Sequence, residues 1–118
     1  MERAVREISN FVRIPSRNAV YEYLGEFPDL VDAVVPICEE MRRQFPLPVG
    51  LSLEVYQDPE IDERYLALYI RAENYGREFL DRIEAAGEKS LTPVTHGGRL
   101  DITTDFQPPG GMSIFSVG

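Results

Sequence analysis

The chain has 118 residues, 43% of them hydrophobic and 27% charged, with a net charge of −8 and a pI near 4.6. One ordinary domain fits this length and two do not, while the apolar share is too high for a globally disordered chain. The acidic balance repels phosphate backbones, which argues against nucleic acid and for a basic protein surface or a cation as partner.

The elements follow in chain order. Val5, Ile8, Phe11 and Val12 recur at helical spacing and predict a short amphipathic helix within residues 1–14. Pro15 ends it by forcing Ile14 into an extended conformation. Ser16 is the expected N-cap of a second helix that carries Val20, Tyr23, Leu24 and Phe27 near one face, with Gly25 as its stop. Arg3, Arg6, Arg13 and Arg17 fall in this region, but Glu2, Glu7, Glu22 and Glu26 cancel their charge, so no basic patch forms for nucleic acid.

Pro28 fits the first turn of a third helix, and Asp29 and Asp32 suit the positive end of its dipole. Leu30, Val34, Ile37, Cys38, Met41 and Phe45 then recur at steps of three and four, with Arg42 and Arg43 near the C-terminal end. Pro36 removes one hydrogen bond from this helix and predicts a kink. Cys38 is the chain's one cysteine and supports neither an internal disulfide nor a cysteine-based zinc site. On the apolar stripe it reads as a small buried hydrophobe.

After Pro46-Leu47-Pro48 the period changes to two. Val49, Leu51, Leu53 and Val55 alternate with Gly50, Ser52, Glu54 and Tyr56, and Leu66, Leu68 and Ile70 alternate with Tyr65, Ala67, Tyr69 and Arg71. Both segments read as half-buried strands, and the short connection between them makes an antiparallel hairpin. Asn74 is the expected cap of a fourth helix with Tyr75, Phe79, Leu80, Ile83 and Ala86 on its apolar stripe and Gly87 as its stop. Leu100, Ile102, Thr104 and Phe106 alternate with Asp101, Thr103 and Asp105 as a third strand. The expected fold is α+β: N-terminal helices followed by β-β-α-β, with a small, mainly antiparallel sheet packed against helices as a two-layer sandwich. Residues 1–107 form the single domain, and the Pro/Gly-rich segment 108–118 is expected to be a mobile tail.

Three constellations bear on function. Glu54, Asp58, Glu60, Asp62 and Glu63 place five carboxylates within ten residues at the hairpin tip. The turn glycine and distal glutamate of a calcium loop are missing, so the cluster reads as a charged tip that suits a basic partner and discourages edge aggregation. Tyr56, Tyr65 and Tyr69 lie with Arg71 on the hairpin face opposite the aliphatic residues, a composition expected of a protein-binding patch. His96, the one histidine, precedes Gly97-Gly98 and lies near Asp101 and Asp105. That group is the alternative centre, for a small enzyme or a ligand- or metal-binding domain.

No nucleophile accompanies His96, no phosphate-cradling motif is present, and no cofactor is implied. The helix-plus-hairpin plan is common among small bacterial proteins, and a plan does not define a function. The expected role is therefore a small acidic interaction module, antitoxin-like or immunity-like, that binds a protein through the hairpin face and acidic loop. The sheet's exposed edges allow a homodimer. No run approaches the ~20 apolar residues that span a bilayer, and Met1–Pro15 lacks the apolar core of a secretory leader. A cytoplasmic home is the expectation.

Overall fold

The computed structural model describes residues 2–60, 63–90 and 99–107. Asp62, His96, Gly97-Gly98 and the expected tail 108–118 lie outside the described residues. The elements are α1 (Glu2–Ile8), α2 (Arg17–Glu26), a 3₁₀ turn (Pro28–Leu30), α3 (Val31–Gln44), β1 (Gly50–Asp58), β2 (Glu63–Arg71), α4 (Arg77–Ser90) and β3 (Leu100–Thr103). The class is α+β, with a small sheet packed against helices.

The sheet is mixed, in the order β1-β2-β3. β1 and β2 pair antiparallel, with Leu51 opposite Ile70, Leu53 opposite Leu68 and Val55 opposite Leu66. β3 joins β2 in parallel, with Leu66 opposite Leu100 and Leu68 opposite Ile102. A parallel neighbour needs a long crossover, and the segment carrying α4 supplies it. In register, the odd residues of β1 and the even residues of β2 and β3 place their aliphatic side chains on one face. Those side chains join Val5 and Ile8 of α1, Val20 and Leu24 of α2, Val34 and Met41 of α3, and Ile83 and Ala86 of α4 in one core. The six positions of the third apolar stripe, Leu30, Val34, Ile37, Cys38, Met41 and Phe45, are all buried.

Several boundaries differ from the periodicity. The first helix ends at Ile8 rather than running toward Ile14. The Ser9 hydroxyl donates to the Arg6 carbonyl at 2.8 Å and the Asn10 amide to the Glu7 carbonyl at 3.2 Å, so side chains take over the helix's terminal acceptors. The released chain runs beside β1, where Arg13 donates to the Leu51 carbonyl and accepts from the Leu53 amide, both at 2.8 Å. That bridge occupies part of the β1 edge within the chain itself.

In the second helix, Gly25 is passed and Phe27 is the C-cap. Ser16 sits at the N-cap with extended backbone but makes no side-chain capping bond. The fourth helix starts at Arg77, not at Asn74, and runs through Gly87 to Ser90. Tyr75 is drawn out of it by its hydroxyl, which accepts the Ala72 N–H at 2.9 Å and donates to the Gln107 carbonyl at 2.6 Å. The third strand stops at Thr103. Thr104 and Asp105 then bond to the Phe106 and Gln107 amides, and Phe106 adopts a positive φ of 61°.

Candidate functional site

The even residues of β1 and the odd residues of β2 and β3 define the second face of the sheet. Register places Ser52 opposite Tyr69, Glu54 opposite Ala67 and Tyr56 opposite Tyr65. Asp101 lies beside Ala67, and Thr103 beside Tyr69. Strict alternation forces this sorting, because a strand sends successive side chains to opposite faces. None of Tyr56, Tyr65 and Tyr69 belongs to the core that unites the four helices with the aliphatic face. The Tyr56 and Tyr65 rings pair across the strands with centroids 5.0 Å apart. Tyr56 is 38% exposed, and Tyr65 and Tyr69 are half-buried.

Arg71 organises the end of this face opposite the hairpin tip, where it pairs with Gly50. It is only 7% exposed. Its Nε donates to Asp105 Oδ1 at 3.0 Å and its Nη2 to Asp105 Oδ2 at 2.7 Å, a bidentate pair. Nη2 also reaches Glu54 Oε2 at 3.0 Å, an oxygen that accepts the Ser52 hydroxyl at 2.8 Å. The guanidinium lies 5.0 Å from the centre of the Tyr69 ring. Burial pushes the Asp105 carboxyl up, but the hydrogen bonds and charge of Arg71 outweigh it and hold the group below the ordinary carboxylate value. Burial, reinforced by Tyr65, Glu54 and Asp105, pushes the Tyr69 hydroxyl up to about 12. Tyr69 is therefore a neutral hydrogen-bonding phenol across the physiological range.

The acidic cluster divides in space. Glu54 is bonded to Arg71 within the sheet, so a base does compensate it. Asp58 pairs with Glu63 at the end of the hairpin, and its Oδ1 accepts the Glu60 N–H at 2.9 Å, which fixes the turn. Glu60 is exposed. Asp101 is on the second face beside the hairpin, and its carboxyl is pushed up by the surrounding protein. Asp105 follows the strand and is committed to Arg71. Among the described residues, no group of three His, Cys, Asp or Glu side chains is placed to hold a metal ion. Cys38 is buried, which pushes its thiol up to about 12.

Sequence reasoning missed the Arg71–Asp105 pair because the partners lie 34 residues apart. It also missed a half-open cleft of about 280 Å³ at the start of β1, between the 11–13 segment and the 47–49 loop. The signal available for that cleft was the helix-ending segment Pro46-Leu47-Pro48, in which Leu47 is 80% exposed. No helix among the described residues is long and apolar enough to cross a membrane. Compared with protein families, curated proteins and solved structures, the chain matches none.

Proposed function

We propose that this chain is an interaction module that binds a basic protein through the second sheet face and the acidic hairpin tip. The observation that carries the reading is the division of labour in the sheet. All four helices pack with the aliphatic face, while the other presents Tyr56, Tyr65 and Tyr69 with Glu54 and Asp101. Tyrosine supplies large contact area at low entropic cost, and a central aromatic patch with a charged rim is the usual anatomy of a binding surface. Carboxylates at the rim and tip, including Asp58, Glu60, Asp62 and Glu63, steer a cationic partner toward it. An antitoxin-like or immunity-like role in a cytoplasmic setting fits this charge and size.

Arg71 takes a different part from the one its sequence position implies. Its donors are turned to Glu54 and Asp105, so it sets the positions of Tyr69 and Glu54 rather than meeting the partner. A homodimer through a sheet edge is a second reading. The Arg13 bridge favours β3 over β1 as its seam, because Leu51 and Leu53 already pair within the chain.

Capture of partners from the native source tests the proposal. The expected partner is basic, is released by salt, and is lost by Tyr56→Ala and by reversal of Asp58, Glu60, Asp62 and Glu63 to Lys. A partner that survives both changes would refute this role for the face and the tip.

A further inference from the structure

The residues that line the cleft at the start of β1 include three arginines, Arg13, Arg42 and Arg71, and no Asp or Glu. Such a concentration of positive charge is notable in a chain of net charge −8. The three arginines are balanced differently. Arg71 is neutralised by Glu54 and Asp105, which approach from outside the cleft lining. Arg42 has no carboxylate within ion-pair distance among the described residues. Its Nη1 donates to the carbonyls of Phe45 at 3.1 Å and Val49 at 2.9 Å, and its Nη2 to that of Phe11 at 3.4 Å. These neutral acceptors fix the guanidinium in place without cancelling its charge. Burial disfavours the cation, and no neighbouring acid offsets that. Arg13 contributes an exposed side chain at the mouth.

The rest of the wall is chiefly apolar, with Phe11, Leu47, Pro48 and Val49 beside the arginines. Gly50 has no side chain to fill the space in front of Arg71, its cross-strand partner. A fixed cation lacking an acid partner, next to apolar walls, matches an anion that carries a hydrocarbon group. A carboxylate fits it through charge-assisted hydrogen bonds, and the apolar walls take the tail. We propose that this cleft binds an apolar-tailed carboxylate, with the anion at Arg42 and Arg13 and the tail against Leu47, Pro48 and Val49. The ligand comes either as a free organic acid or as the C-terminal residue of a peptide. This inference stands apart from the role of the tyrosine face.

Titration of the isotope-labelled full chain, followed by nuclear magnetic resonance, tests it with hexanoate as probe. Hexanoate is expected to bind saturably and shift the amides of Val49, Gly50, Leu51 and Ser52. The uncharged 1-hexanol is expected to bind about tenfold more weakly or not at all. Leu47→Asp, at an exposed side chain, should weaken hexanoate by about tenfold with an unchanged melting temperature, and Arg13→Gln should weaken it by a similar factor. Tyr56→Ala should leave hexanoate binding intact, so failure of the sheet-face reading and failure of this one are separable. Peptides ending in Leu, as free acid and as amide, identify the source. A free-acid peptide tighter than hexanoate assigns a chain terminus and the reverse order a free acid, and either upholds the site. Equal binding of hexanol and hexanoate, phosphate binding as tight as hexanoate, or indifference to Leu47→Asp would each overturn it.

Discussion

Arg71 is held by carboxylates from two distant parts of the chain, Glu54 on the neighbouring strand and Asp105 beyond the last one. A guanidinium this deeply placed needs both its charge and its donors satisfied. Because the folded Asp105 carboxyl lies below its ordinary value, it stabilises the fold fully above the unfolded value near 3.9. That contribution fades as pH falls through the lower folded value. Asp105→Asn should therefore cost about 1–2 kcal/mol at about pH 7, and the gap to wild type should be smaller at about pH 3, below the unfolded value. Chemical denaturation of both proteins at the two pH values checks this, and a gap that widens in acid contradicts it. Cys38 gives a second residue-scale expectation. Its buried thiol, raised to about 12, should react with a thiol reagent only at the rate of unfolding. Rapid labelling of the native protein would show that the α3 stripe opens locally. Burial of Cys38 was legible from its place in the stripe. The partners of Arg71 were not, since alternation assigns a face but not a contact across 34 residues of sequence.

At the scale of elements, periodicity located each α-helix and strand among the described residues, and local hydrogen bonding decided where several of them begin or end. Side-chain bonds from Ser9 and Asn10 close the first helix early. The Tyr75 hydroxyl, tied to Ala72 and Gln107, delays the start of α4. Gly87 looked like a stop because glycine commonly ends a helix, yet it lies inside α4 against β3. A Cβ built there meets the Ile102 carbonyl oxygen at 3.6 Å and its Cβ at 3.9 Å, ordinary packing distances. Gly87→Ala should thus raise stability by about 0.5–1 kcal/mol, since the helix gains propensity and the space exists. A thermal melt reads the change. A loss of stability would mean that α4 cannot give way even at van der Waals contact. Arg42 was visible as a favourable charge at a helix C-terminus, and its bonds to the Phe45 and Val49 carbonyls are the local form of that effect. Its part in the cleft depends on the return of the 11–13 segment, which the pattern of apolar residues did not indicate.

Among the described residues, the molecule is a layer of helices on one side of a three-stranded sheet, with an aromatic and acidic face on the other. This arrangement was readable because period-two alternation sorts side chains before any tertiary contact forms. The parallel docking of β3 was less readable, because alternation assigns a strand's face and not its neighbour or direction. Strand order depends on how α4 packs, and Gly87 at Ile102 is one place where that packing is set. Side-chain footprinting by hydroxyl radicals, with and without the captured partner, tests the central claim most directly. The partner should protect Tyr56, Tyr65 and Tyr69 while Tyr21 on α2 keeps its reactivity. Protection of Tyr21 with Tyr56 unchanged would contradict it and place the binding surface on the helical layer.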